Sequence, residues 1–139
     1  MTRKRSKYRP KLKLRDPVNY VLSGISGIPS DISTTVRTMN HISLKLIQSG
    51  KAAENDIGVL LNAFKVALAL THPSIGLGAD WIPEFKTAVA ILNALAPPYI
   101  LRGPELTALN LAMEVHDLQL DKATVIQVER ALKIIKDRT

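Results

Sequence analysis

Asn110, Glu114, Asp117 and Asp121 are spaced by four, three and four residues, so a helix carries them as one stripe. Carboxylates on one helix face can hold a metal ion or meet a basic partner. The stripe lacks the Glu-x-x-His pattern of helical di-iron sites, because His116 follows Glu114 by two. A solvated polar face is the plainer reading, and a seat for a basic segment of the same chain is a third. Asn110, Glu114 and Asp117 stand as a candidate partner surface. Asn40 and His41 join them, as adjacent polar groups near the middle of another helical stretch.

The remaining chemistry is thin. His41, His72 and His116 show neither the i, i+4 nor the His-x-His spacing of a metal site. His116 falls on an apolar helix face, where a satisfied core histidine is expected. Gly24-Ile25-Ser26-Gly27 is not the Gly-x-Ser-x-Gly elbow of a nucleophilic serine. Gly76-Leu77-Gly78 lacks the preceding strand and third glycine of a dinucleotide loop. With no cysteine, a thiol nucleophile, thiolate metal sites and disulfides are excluded. No cofactor, no metal and no enzymatic activity are expected.

The densest signal is charge. Arg3, Lys4, Arg5, Lys7, Arg9, Lys11, Lys13 and Arg15 place eight bases in residues 1–15 with no acid. The other 124 residues hold 11 Lys or Arg against 12 Asp or Glu, a net of −1. The formal +7 of the chain therefore belongs to its first stretch. From Lys7 the bases alternate with Tyr8, Pro10, Leu12 and Leu14, a period of two. Extended, the charges on one side stand roughly 6.6 Å apart. Such a segment suits a phosphate backbone, and Tyr8 can stack on an exposed base. Like-charge repulsion and low burial predict a flexible arm over 1–15.

Stepping along the chain, 16–139 is expected to form one helical domain. Aromatic residues are few, so the core must be Leu, Ile, Val and Ala, which suits packed helices. Asp16-Pro17 reads as an N-cap and first helical position for a short helix over about 17–23. A helix over about 30–49 places Ile32, Val36, Met39, Ser43, Leu46 and Ile47 at helical spacing and stops at Gly50. Another, over about 53–71, buries Ile57, Leu60, Leu61, Phe64 and Leu68. A Pro- and Gly-containing loop follows over 72–80. Asp80 then caps a helix over about 81–96, led by Trp81; its Ala88–Leu92 and Ala94–Ala96 are apolar nearly all round, as expected of a central helix or one covering a partner. A helix starting near Pro104-Glu105 runs to about 120. The last begins at Thr124, where Thr124-x-x-Gln127 forms a capping box. Ile126 and Ile134 lie outside its apolar stripe, which leaves room for a homodimer through this helix. The fold class is all-α, a compact bundle of about five to six helices.

No apolar stretch is long enough to span a bilayer, since 66–79 and 87–101 are both broken by Pro or Gly. No apolar segment follows the basic start as a secretory signal requires. Pro10 and the alternation argue against a mitochondrial transit peptide. No membrane partner is expected.

The start Lys4-Arg5-Ser6-Lys7-Tyr8-Arg9-Pro10-Lys11, followed by Asp16-Pro17-Val18-x-Tyr20-Val21, resembles small, mostly uncharacterised proteins encoded by phages and prophages of proteobacteria. Asn40-His41, the run from Leu109 to Asp121 and Glu129-Arg130-Ala131 are also similar. The resemblance covers most of the chain. It implies a setting, the bacterial host cytoplasm, and adds weight to Asn40, His41, Asn110, Glu114, His116 and Asp117 as a shared surface. The chain departs at Ala52-Ala53, where those proteins carry a Thr or Ser helix cap. The function expected is that of a non-enzymatic, nucleic-acid-associated accessory or regulatory protein that takes DNA or RNA. The alternative is a protein–protein inhibitor or modulator of a host enzyme or defence complex, with the arm docked in an acidic protein groove.

Overall fold

The computed structural model describes residues 30–138. The basic arm over 1–15, the short helix over about 17–23 and the Asp16-Pro17 cap lie outside the described residues. Among the described residues there are five α-helices and no strand: α1 Ser30–Gln48, α2 Glu54–Leu70, α3 Ile82–Ala94, α4 Gly103–Lys122 and α5 Val125–Asp137. The fold is all-α.

Helix ends follow local chemistry. Gly50, at φ 72°, closes α1. The Lys51 amide donates to the Leu46 carbonyl at 2.8 Å and the Gly50 amide to that of Ile47 at 3.2 Å. These are the paired bonds of a Schellman motif. At the start of α2, Ala53 occupies the N-cap with no side-chain oxygen to offer. Asp56 supplies half of the missing box by accepting the Ala53 amide at 2.9 Å. Its other oxygen accepts the Ser43 hydroxyl at 3.1 Å, which ties the end of α1 to the start of α2. The Thr124 box at the start of α5 is complete. The Gln127 amide donates to Thr124 Oγ1 at 3.2 Å, and the Thr124 amide to Gln127 Oε1 at 2.9 Å.

α2 is the central element, packed against all four other helices. Its Leu60, Phe64 and Ala67 meet Phe85, Ala88 and Leu92 of α3, Leu109, Ala112 and Met113 of α4, and Leu44 and Ile47 of α1. A second contact, Ala69 and Leu70 against Ala131 with Ile134 and Ile135, seats α5 on the C-terminal half of α2. The centre is thus held by α2 and not by the 81–96 helix, for which a central place was one of two readings. The second half of α3 reads as apolar because Ala90 and Ala94 stand at outward positions, exposed without loss of much buried area, beside exposed Lys86, Thr87 and Asn93.

α3 also begins later and ends earlier than its sequence pattern. Gly78, at φ 74°, starts a 3-10 turn over Ala79–Trp81, so Asp80 makes no side-chain cap and Trp81 lies at the entrance, 38 % exposed. Leu95 is already extended ahead of Pro97-Pro98. In α1, Met39 is exposed although its spacing fits the apolar set. Asn40, Ser43, Leu44 and Ile47 face the core instead. Among the described residues no helix is long and apolar enough to cross a membrane.

Candidate functional site

α1 and α4 lie antiparallel, and polar side chains join them along most of their shared length. Arg37 forms an ion pair with Asp121. One turn on, His41 Nε2 donates to Asp117 Oδ2 at 2.7 Å. Near the other end, Gln48 Nε2 donates to Asn110 Oδ1 at 2.7 Å. Two α1 residues four apart therefore meet two α4 acids four apart, each helix presenting one stripe to the other.

Three of the five expected partner-surface residues meet in this seam. His41, Asn110 and Asp117 are occupied by contacts within the fold. Asn40 belongs to the interior, 4 % exposed, and is not an accessible recognition group. Glu114 remains exposed on the outer side of the stripe. Two of the three acids of the stripe, Asp117 and Asp121, are thus engaged by α1. Among the described residues, three buried polar atoms have no hydrogen-bond partner: Arg37 Nε, Asn40 Nδ2 and Asp117 Oδ1. All three lie in the turn of α1 from Arg37 to His41 or in the acid that faces it.

Beneath the seam His116 is 1 % exposed. Its Nδ1 is 2.9 Å from Gln119 Oε1. Gln119 Nε2 donates to the carbonyls of Ala67 and Leu77, each at 2.9 Å, so Oε1 must accept and His116 Nδ1 must carry the proton. Burial holds the His116 pKa below the ordinary histidine value, and Arg37 acts in the same direction. The Gln119 hydrogen bond and the nearby Asp117 charge oppose that shift. The histidine is a neutral, hydrogen-bonded core residue, in keeping with its apolar spacing.

Arg37, Gln48 and Gln119 did not stand out in the sequence. A signal for Arg37 was present: Arg37 and His41 repeat at the same interval as Asp117 and Asp121. Gln119 carries no comparable signal, because its partners are main-chain carbonyls far away in the chain. Among the described residues no three His, Asp or Glu side chains converge as metal ligands.

The outer face of α1 carries different chemistry. Thr34, Arg37, Thr38, His41, Ile42 and Lys45 line an open depression of about 500 Å³ together with Leu46. Its exposed surface is mostly apolar, with the donors of Arg37, His41 and Lys45 among its lining residues.

No protein-family model matches the chain, and neither a curated protein nor a solved structure matches it.

Proposed function

We propose that this chain is a non-enzymatic, nucleic-acid-associated accessory or regulatory protein of a phage or prophage, acting in the bacterial cytoplasm. Residues 1–15 contact the phosphate backbone, and the helical body supplies partner recognition. One observation carries the reading: eight bases without an acid in residues 1–15, against a net of −1 over the rest of the chain. Release of condensed counterions drives such a segment onto nucleic acid without sequence preference.

The test compares the full chain with a form lacking residues 1–15, using a labelled duplex and a labelled single-stranded RNA over a salt series. With about five phosphates engaged, log affinity falls against log salt with a slope near −4 to −5. The shortened form loses this binding and keeps its helicity by circular dichroism. Equal binding by the two forms overturns the reading.

A second reading is a protein modulator of a host enzyme or defence complex, with the basic stretch docked in an acidic groove. A stoichiometric protein partner captured from host lysate after nuclease treatment separates it from the first.

A further inference from the structure

We infer that the outer face of α1 is a second phosphate-binding surface, and that Asp117 and Asp121 hold its Arg37 and His41 until a nucleic-acid backbone competes for them. The inference rests on the proposed nucleic-acid association and adds a site within the helical body.

Arg37, His41 and Lys45 recur every four residues, so they stand on one line along α1, about 6 Å apart. Thr34 and Thr38 lie beside that line and add two hydroxyl donors. With Ile42 and Leu46 these residues line one mostly apolar depression, and the Asp117 and Asp121 carboxylates reach His41 and Arg37 from the α4 side. Phosphate oxygens accept from guanidinium, imidazole, ammonium and hydroxyl groups alike. Ile42 is 55 % exposed, and its apolar surface suits the sugar between phosphates. The face also follows the basic stretch closely, since 14 residues separate Arg15 from Ser30.

The acids of α4 explain why Arg37 and His41 are not simply free. Asp121 is itself exposed, so its pair with Arg37 is screened by water and weak. A phosphate arriving from solvent meets Arg37 and His41 already ordered at the edge of the face, with a weak bond to exchange. Lys45 stands one turn beyond, outside the Arg37–Asp121 ion pair and the His41–Asp117 hydrogen bond.

The test is a salt series of duplex affinity for the full chain and four double variants. Arg37→Gln with Lys45→Gln removes the face. Arg130→Gln with Lys133→Gln removes equal charge from α5. Asp117→Asn with Asp121→Asn frees the face, and Glu129→Gln with Asp137→Asn makes the same charge change on α5. The expected result is a slope shallower by about 2 for the first pair and unchanged for the second. The third pair is expected to gain affinity several-fold over the fourth. Lys45→Gln alone, at an exposed position, serves as the variant that leaves the seam intact, and a loss of about 1 in slope is expected.

Equal slopes for the α1 and α5 variants overturn the inference. If residues 1–15 still govern binding, the proposed function stands without it. If the full chain binds neither duplex nor RNA, both fall. A dimer in sedimentation that Ile42→Ser dissolves and duplex does not displace also overturns the inference, because a second copy then covers the face.

Discussion

His116 and Gln119, one turn apart on α4, form a buried pair in which the imidazole Nδ1 proton lies on the amide oxygen at 2.9 Å. The same amide donates from Nε2 to a carbonyl of α2 and to one of the loop after it. One side chain thus joins three segments and satisfies three polar groups, the Leu77 carbonyl being part-buried. Gln119→Ala leaves the Ala67 and Leu77 carbonyls and the His116 N–H without their partner. The expected loss is about 2–4 kcal/mol, measured from the urea midpoint at constant m. A loss under about 1 kcal/mol would show that the carbonyls are satisfied otherwise.

His116 also sets a pH dependence. Its folded pKa is lowered, chiefly by burial, so the unfolded chain binds the proton more readily. Stability from the neutral ring is complete above the unfolded value of about 6.5 and falls as pH drops from there toward the folded pKa. The urea midpoint should decline between pH 7.5 and pH 5. In His116→Gln that decline should be smaller, because the replacement does not titrate. Parallel declines in the two proteins would assign the effect to carboxylates.

The caps offer a paired measurement. Ala53 has the extended conformation of an N-cap (φ −104°, ψ 174°) without a cap oxygen, whereas Thr124 accepts the Gln127 amide. Ala53→Ser should stabilise by roughly 0.5–1 kcal/mol, and Thr124→Ala should destabilise by about 1 kcal/mol. Thermal melts of the two variants against the parent check both signs.

Two glycines at positive φ separate strain from crowding. Gly50 has open space where a Cβ would stand, whereas a Cβ on Gly78 would lie 3.0 Å from Gln119 Nε2. Gly50→Ala should cost about 1 kcal/mol from the left-handed backbone alone. Gly78→Ala should cost more, because the Gln119 amide must shift from its two carbonyls. Equal losses would mean that the amide yields freely.

Much of this arrangement was legible in the chain. Gly50 and Thr124-x-x-Gln127 marked helix ends because their signals are local: a left-handed C-terminal residue and a reciprocal box. The spacing of Asn110, Glu114, Asp117 and Asp121 gave a true stripe. What it faced was not legible, since an exposed stripe and an interhelical seam have the same period. Which helix sits at the centre was hidden for a related reason. Apolar content does not separate Ala-rich outward positions of α3 from core positions of α2. Trp81 strayed because a left-handed Gly78 inserts a 3-10 turn where the pattern alone continues a helix.

Asn40 shows what misplacing a polar residue reveals about stability. A surface role fits its neighbour His41, but a rotation of 100° per residue carries Asn40 into the interior. There its Nδ2 is buried and lacks a hydrogen-bond partner among the described residues. Desolvating an amide N–H without a new bond costs about 1–3 kcal/mol. Leucine has a similar shape and no such cost, so Asn40→Leu should raise stability by about 1 kcal/mol while α1 stays packed on α2 and α4. Asn40→Ala should lose stability, because it leaves a cavity in place of the amide. Urea unfolding of the two variants decides the matter: a loss of more than about 2 kcal/mol in Asn40→Leu would mean that the amide is bonded and holds the α1–α4 seam together.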